Sequence, residues 1–114
     1  MLAGLLDITI EQGATFNLVF IYQDQNGDPI NLTGMTARMQ LRRQFNSPDA
    51  LLSLTTENGR ISLGGTNGTI TLNVGANETA NLSGSGVYDI ELVNGPVVKR
   101  ILEGSYSICP EVTR

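Results

Sequence analysis

Residues 36–42 (TARMQLR) decide the fold, because small or apolar side chains at every second position alternate with polar ones. Successive side chains of a β-strand point to opposite faces, so this stretch predicts a strand with one buried side and one solvent-facing side. Residues 69–74 (TITLNV) repeat the alternation, and residues 88–92 (YDIEL) do so with Asp89 and Glu91 facing water. The chain is therefore predicted to be built from short, half-buried strands.

Residues 15–22 (TFNLVFIY) begin with the same alternation and then become apolar on both sides. This pattern is typical of a central strand, or of a strand whose second face is also covered. We therefore expect a neighbour on the outer face of this strand, with Val19 and Ile21 as contact residues.

Turn signals separate the predicted strands. Asn-Gly pairs suit the positive φ angles of a type I′ hairpin turn, and we expect three of the four pairs to join adjacent antiparallel strands. The clearest of them separates residues 88–93 from residues 97–108, and a single helical turn is expected at residues 78–82. The pairs are Asn26-Gly27, Asn58-Gly59, Asn67-Gly68 and Asn94-Gly95.

This spacing of strands and turns predicts an all-β fold, an antiparallel immunoglobulin-like β-sandwich of about seven or eight strands. A small closed β-barrel is the alternative. A chain of 114 residues has the length of one domain with a single hydrophobic core. We expect that domain at residues 7–114, preceded by an apolar N-terminal arm at residues 1–6.

The composition excludes most catalytic chemistry, because the chain has no histidine, no tryptophan and one cysteine, Cys109. Histidine is the commonest general base, and a lone thiol forms neither an internal disulfide nor a multi-cysteine zinc site. Asp89 and Glu91 are interpreted as ordinary solvent-facing residues rather than as a catalytic pair. We predict no enzyme activity, no metal site and no cofactor, and we expect Cys109 to be a small buried hydrophobe.

Charge and hydropathy narrow the range of partners. The formal net charge is −4 and Lys99 is the only lysine, so the chain lacks the basic footprint of a nucleic-acid binder. No apolar run approaches the ~20 residues that span a bilayer, and the first residues lack the positive region of a signal peptide. We expect no nucleic-acid binding, no membrane insertion, and a protein made in a reducing cytoplasm.

Candidate contact residues come from two further features. Three leucines crowd the first six residues, and exposed apolar segments mark contacts. Two basic pairs in an acidic chain are suited to acidic neighbours. Together with two residues of the predicted strand at residues 15–22, the protein-contact candidates are Leu2, Leu5, Leu6, Val19, Ile21, Arg42, Arg43, Lys99 and Arg100.

Five segments, in order, resemble a recurrent small protein of tailed bacteriophages and prophages that is related in pattern to the N-terminal domain of baseplate upper proteins. They are spread in order from residue 11 to residue 114, and each combines a turn with the edge of a strand. They are residues 11–16 (EQGATF), 27–42 (GDPINLTGMTARMQLR), 85–92 (SGVYDIEL), 100–104 (RILEG) and 110–114 (PEVTR).

The resemblance implies an immunoglobulin-like sandwich that serves as a virion building block, made in the bacterial host cytoplasm. Its partners would be other phage structural proteins, with many copies in a symmetric assembly. It implies an assembly adaptor or attachment domain of the tail, baseplate or fibre apparatus, with a capsid decoration (cement) protein as the alternative. Baseplate upper proteins continue into a receptor-connecting region after this domain, whereas the sequence here ends at Arg114. We therefore do not expect direct receptor binding from this chain.

The expected mechanism is docking. The arm and an exposed strand edge would contact a repeating neighbour, with main-chain hydrogen bonds supplying affinity and Leu2, Leu5 and Leu6 filling pockets. A carbohydrate-binding module is a further alternative. Such modules present aromatic platforms, whereas the three Tyr and three Phe of this chain fall mostly at alternating, core-facing positions.

Overall fold

The computed structural model describes residues 4–113. Short strands make up most of its regular structure, interrupted by a 3₁₀ turn at Gly65–Asn67 and by one helical turn, α1, at Ala76–Thr79. The strands are β1 (Gly4–Leu5), β2 (Ile8–Glu11), β3 (Phe16–Ile21), β4 (Thr36–Arg42), β5 (Leu52–Thr55), β6 (Ile61–Leu63), β7 (Thr69–Val74), β8 (Ser85–Asn94) and β9 (Val97–Cys109).

The strands form two sheets that share one hydrophobic core. In the large sheet β5 pairs with β4, β4 with β8 and β8 with β9, while β1 and β2 both pair with the other edge of β9. The small sheet has the order β3, β7, β6. The predicted β-sandwich is therefore confirmed over the alternative barrel. β1 and β2 run parallel to β9, so the large sheet is mixed rather than wholly antiparallel.

The buried faces follow the alternation seen in the sequence. β4 and β7 occupy the two predicted ranges. Met39 lies opposite Ile90, and Ile90 lies opposite Leu102, so one apolar row crosses three strands of the large sheet. Ile70 and Leu72 of the small sheet are buried in the same core. Each side chain of this size stabilises the fold by about 1.5–3 kcal/mol when it is fully buried.

The prediction of a central position for β3 is wrong. This strand lies at the edge of the small sheet, and β7 is its partner there. Its inward side chains pack partly against the core, whereas Val19 and Ile21 on the outer side are 57% and 52% exposed. Alternation along one strand does not say whether a neighbouring strand covers it, and within residues 4–113 none lies beyond β3.

The hairpin between β8 and β9 confirms the clearest turn prediction, but the turn is not type I′. Asn94 pairs with Val97, so the two loop residues are Gly95, with a φ of 58°, and Pro96. A type I′ turn requires positive φ at both central residues, which proline does not adopt. Among residues 4–113 no asparagine has a positive φ, so the type I′ prediction is wrong for all four Asn-Gly pairs.

The other Asn-Gly pairs serve two different connections. Asn67-Gly68 lies between the antiparallel partners β6 and β7, and Asn26-Gly27 lies between Gln23 and Pro29, which form an isolated antiparallel bridge. Asn58-Gly59 instead joins β5 of the large sheet to β6 of the small sheet. Two of the four pairs thus join adjacent antiparallel strands, one fewer than predicted; Asn26-Gly27 closes only an isolated bridge, and Asn58-Gly59 carries the chain between the sheets.

Part of the segment expected as a separate arm belongs to the large sheet. Gly4–Leu5 pair with β9 as β1, and the Leu6 carbonyl oxygen accepts a hydrogen bond from the Tyr88 hydroxyl. A side chain at Gly104 would collide with that carbonyl group. The absence of a side chain at this one position of β9 therefore lets the chain pass from β1 to β2 against the sheet.

Cys109, which we expected to be buried, is exposed. It follows Ile108, whose side chain is buried in the core. Side chains alternate along a strand, so the residue after a core position faces outward.

Thr79 connects α1 to the turn between β2 and β3. Its side chain is completely buried, and its hydroxyl accepts a hydrogen bond from the Gly13 N–H at 3.1 Å and donates one to the Ala14 carbonyl at 2.8 Å. The helical turn predicted at residues 78–82 forms slightly earlier, at Ala76–Thr79. This shift puts Thr79 at the end of the turn, where it holds the β2–β3 connection.

Replacing Thr79 by valine tests this connection. Valine keeps the shape of the side chain but leaves the Gly13 N–H and the Ala14 carbonyl without a buried partner, so we expect the free energy of unfolding to fall by about 1–3 kcal/mol. Urea unfolding followed by circular dichroism measures the change. Thr71→Val, on the outer face of the small sheet, is the matched control, and an equal loss in both variants would contradict the assignment.

Alkaline titration tests the burial of Tyr88. Burial, with a smaller contribution from the Asp7 charge, raises the pKa of Tyr88 from 10.0 to about 12. The unfolded chain loses this proton near the lower value, so stability is complete below it and declines as the pH rises toward the higher one. Urea midpoints should fall over this interval, and should fall less in Tyr88→Phe. An identical decline in the variant would mean that other groups cause it.

Candidate functional site

Two rows of polar side chains cross the outer face of the large sheet. Residues directly opposite each other on neighbouring strands project from the same face, so the strand register places them side by side. The first row contains Ser53, Gln40, Asp89 and Glu103, and the second contains Thr55, Arg38, Glu91 and Arg100.

A β-bulge puts Arg100 and Glu103 on the same face. Residues three positions apart point to opposite faces in a regular strand. The register between β8 and β9 shifts by one residue, however, and Ile101 falls outside the paired positions. The extra residue resets the alternation. Arg100 therefore lies opposite Glu91, and Glu103 lies opposite Asp89.

Ion pairs order these rows. Arg38 Nε lies 2.8 Å from Glu91 Oε1. Arg100 reaches two carboxylates, with Nε 3.3 Å from Asp89 Oδ2 and Nη1 3.5 Å from Glu103 Oε2. Burial raises the pKa of the Asp89 carboxyl above its ordinary value; Arg100 opposes this shift, and the charges of Glu91 and Glu103 add to it.

Arg42 connects the rows to the loop that follows β4. Its Nη2 donates a hydrogen bond to Gln40 Oε1 at 2.8 Å, and its Nη1 donates one to the Ser47 carbonyl at 2.6 Å. The Ser47 N–H donates to the Gln44 carbonyl at 3.0 Å, and the Ser47 hydroxyl accepts from the Gln44 N–H at 3.0 Å. These bonds fix a turn in which Phe45 is 88% exposed.

The rows enclose two adjoining depressions of about 320 and 690 Å³ that share Gln40, Asp89 and Glu91. We call them together the polar trough. Phe45 and Leu5, which is 82% exposed, line the larger depression. The charged residues of the trough are Arg38, Arg42, Arg100, Asp89, Glu91 and Glu103.

The outer face of the small sheet has the opposite character. Its outward strand positions, all within the described residues, carry no charge, and we call this surface the uncharged face. It ends at β3, an edge strand without a charged residue, a proline or a bulge, which are the devices that commonly protect sheet edges. Its residues are Asn17, Val19, Ile21, Ser62, Thr69, Thr71 and Asn73.

The leucines predicted as contacts separate in the structure. Leu2 lies outside the described residues. Leu5 is exposed and lines the larger depression of the polar trough, and Leu6 is 41% exposed. These two leucines are therefore accessible, but on the side of the large sheet, whereas Val19 and Ile21 belong to the uncharged face.

The two basic pairs are each divided between surfaces, because successive strand residues point to opposite faces. Arg42 and Arg100 take part in the hydrogen bonds and ion pairs of the polar trough. Arg43 is exposed, with its guanidinium group beside Gly84. Lys99 lines a separate groove of about 440 Å³ between the end of β3 and β9. The sequence pairs therefore do not form two basic patches.

The alternation in β4 and β8 correctly indicated that Gln40, Asp89 and Glu91 face solvent. It did not reveal that they adjoin Glu103, which follows from the register and the bulge. The alternation gives no indication of an exposed Phe45 either. The signal for it is an aromatic residue in the polar, non-periodic stretch that follows β4.

Among residues 4–113, no cluster of three or more aspartate, glutamate, cysteine or histidine side chains has an arrangement that would hold a metal ion. Within the same residues, no helix combines the length and the hydropathy needed to cross a bilayer.

Comparison with known proteins supports the fold. No protein-family model and no curated protein matches the chain. The extracellular domains of the voltage-gated sodium channel β4 subunit, described as parallel homodimers with a role in cell–cell adhesion, are similar in structure. They have a TM-score of 0.50 and 13% identity over 98% of this chain and 97% of that chain. The predicted immunoglobulin-like β-sandwich is thereby confirmed.

Two other solved structures have lower scores. One, from a study of multimeric cell-adhesive interactions of sodium channel β subunits, has a TM-score of 0.46 and 13% identity over 92% of both chains. The other, an endo-fucoidan hydrolase of glycoside hydrolase family 107, has a TM-score of 0.47 and 14% identity over 96% of this chain and 13% of that chain.

Replacing Asp89 by asparagine tests the electrostatics of the polar trough. When folding raises the pKa of a carboxyl group, the protonated form favours the folded state. The stability then declines as the pH rises from the pKa of the unfolded state to that of the folded state, and it stays lower above it. We therefore expect Asp89→Asn to raise the free energy of unfolding at neutral pH, and the gain to vanish in acid. Asp49→Asn, on an exposed loop outside the trough, is the control. A lower urea midpoint for Asp89→Asn at neutral pH would contradict the assignment.

Proposed function

We propose that the chain is a non-enzymatic structural protein of a tailed-phage virion, made in the host cytoplasm and acting by protein–protein docking. It serves as an assembly adaptor or attachment domain of the tail, baseplate or fibre apparatus, with other phage structural proteins as partners. The five segments that resemble such proteins support this setting. The observation that carries the docking role is the uncharged face and its unprotected edge at β3.

The uncharged face has the composition of a surface that becomes buried. Interface centres are depleted of charged residues, because burying a charge without a partner costs free energy. Here every outward strand position of the small sheet is uncharged, and two of them, Val19 and Ile21, are exposed aliphatic residues. The six charged residues of the polar trough lie on the other sheet, so a partner on the uncharged face meets none of them.

The exposed main chain at the edge of β3 sets the orientation in which a partner strand can bind. An edge strand presents main-chain N–H and carbonyl groups that a neighbouring strand can pair with, and side chains on alternate positions then set the register. Val19 and Ile21 are two positions apart and project from the same side. A partner strand that pairs with β3 therefore brings its own alternate side chains against both of them.

Repetition compensates for the small size of such a contact. One edge strand of six residues offers limited area. When many copies sit in one symmetric particle, contacts made by linked neighbours reinforce each other without new chemistry. The proposal therefore requires many copies per particle.

The N-terminal leucines are a second contact of the proposal. Deleting residues 1–6 is a poor test of it, because the deletion also removes β1 and the acceptor of the Tyr88 hydroxyl. Leu5→Ser is a cleaner test, since the Leu5 side chain is exposed and only its backbone pairs with β9.

The docking role is tested with particles of the phage or prophage whose genome encodes the chain. The gene is deleted and supplied in trans as wild type or as Val19→Arg, and the copy number per purified particle is measured by mass spectrometry. We expect the wild-type protein at a fixed, repeated copy number. Val19→Arg should be reduced at least about tenfold, because it places an unpaired charge in the buried interface.

Ser62→Arg on β6 is the matched control, since it adds the same charge to the uncharged face but away from the β3 edge. It should be retained better than Val19→Arg. Urea unfolding of both variants shows whether they fold. Absence of the wild-type protein from particles would refute the virion role, and normal incorporation of a folded Val19→Arg would refute the β3 contact.

A further inference from the structure

We propose that the polar trough binds an uncharged oligosaccharide. This site lies on the large sheet, opposite the uncharged face, so it is separate from the docking contact at β3, and Leu5 is the one docking residue at its margin. Its floor is formed by four strands of the large sheet, β5, β4, β8 and β9, and each of its two depressions has a volume in the range of sites that hold small-molecule ligands, roughly 300–1,000 Å³.

The balance of charge determines the class of ligand. The trough contains three arginines and three carboxylates, so their formal charges cancel. A phosphate, a nucleic acid or an acidic polymer would gain from a net positive site, and a cation from a net negative one. Neither preference exists here. A neutral ligand rich in hydroxyl groups needs no net charge in its site, and it can form hydrogen bonds with the polar groups that line the trough.

The hydrogen-bonding groups suit hydroxyl ligands. Arginine donates, carboxylate accepts, and an amide such as that of Gln40 does both, whereas a sugar hydroxyl donates and accepts at once. Arg38, Glu91 and Arg100 follow one another in the second row, so donors and acceptors alternate there, while Gln40 and Ser53 of the first row can do both. The ion pairs of Arg38 and Arg100 hold these planar groups in place before a ligand arrives.

Phe45 supplies the apolar wall that such a ligand uses. Its ring is 88% exposed, an unusual position for a large aromatic side chain in a soluble domain. The turn that carries it is tied to the trough through Arg42, which bonds both Gln40 and the Ser47 carbonyl. A ring held beside a row of hydrogen-bonding groups provides a surface for the C–H face of a sugar, while the row contacts its hydroxyl groups.

The aromatic residues of this chain were expected mostly at core-facing positions. Tyr88 and Tyr106 are buried, as that expectation requires, whereas Phe45 is exposed. The inference also does not depend on a phage setting, because it uses only the register, the charges and the exposed ring of the large sheet.

Binding is tested with the isolated chain on an array of neutral oligosaccharides built from hexoses, N-acetylhexosamines and deoxyhexoses, with sulfated and carboxylated oligosaccharides alongside. The strongest neutral ligand is then titrated into ¹⁵N-labelled protein and followed by NMR. We expect binding of at least one neutral oligosaccharide at millimolar concentration or below. The chemical-shift changes should concentrate on the outward residues of β4, β8 and β9 and on the turn with Phe45.

Two variants and one control separate this site from the docking surface. Phe45→Ala and Gln40→Ala should each weaken binding about tenfold, and both side chains are exposed, so the fold is preserved; the NMR spectrum of each free variant checks this. Val19→Arg, on the opposite face, should bind like the wild type. Phe45→Ala should still enter particles at the wild-type copy number, so failure of one proposal leaves the other standing.

Three results would overturn the proposal. The first is no binding to any neutral oligosaccharide on the array at millimolar concentration. The second is binding confined to the acidic oligosaccharides. The third is binding that Phe45→Ala and Gln40→Ala leave unchanged, or shift changes that map to the uncharged face.

Discussion

The register between β4, β8 and β9 is the constraint on which the large sheet depends. Side chains alternate with a period of two, so a slip of one residue would exchange the two faces of a strand. Met39, Ile90 and Leu102 would then leave the core, and charged residues would enter it. The free-energy cost of burying those charges enforces one register. The same register that assembles the core therefore also assembles the polar trough on the other side.

Among the described strands β9 has the most partners, since it pairs with β8 on one edge and with β1 and β2 on the other. Two local features make this possible. The bulge at Ile101 shifts the register of β9 against β8 by one residue and so resets the alternation of β9. Gly104 leaves space for the chain between β1 and β2. Thr79 ties α1 to the β2–β3 turn through buried hydrogen bonds. Three positions, Ile101, Gly104 and Thr79, thus connect the core of the large sheet to its edge strands and to the β2–β3 turn.

The two sheets present different chemistry to solvent. The small sheet offers an uncharged, partly aliphatic face with an open edge, and the large sheet offers a balanced array of charges beside an exposed ring. Docking through β3 leaves the polar trough free, apart from Leu5 at its margin. The sandwich thus has two separate surfaces, which we propose for a protein partner and for a polar, uncharged ligand.

The sequence by itself determined the longer amphipathic strands and the side of each that faces the core, because alternation is a local property; it did not indicate the short strands β1, β2, β5 and β6. It predicted β4, β7 and the buried side of β8, and it identified Val19 and Ile21 as outward residues. Only the tertiary structure decided that β3 is an edge strand, that the Asn-Gly turns are not type I′, and that Glu103 joins Asp89 across a bulge. Those outcomes depend on pairing between distant residues, which periodicity along one strand does not encode.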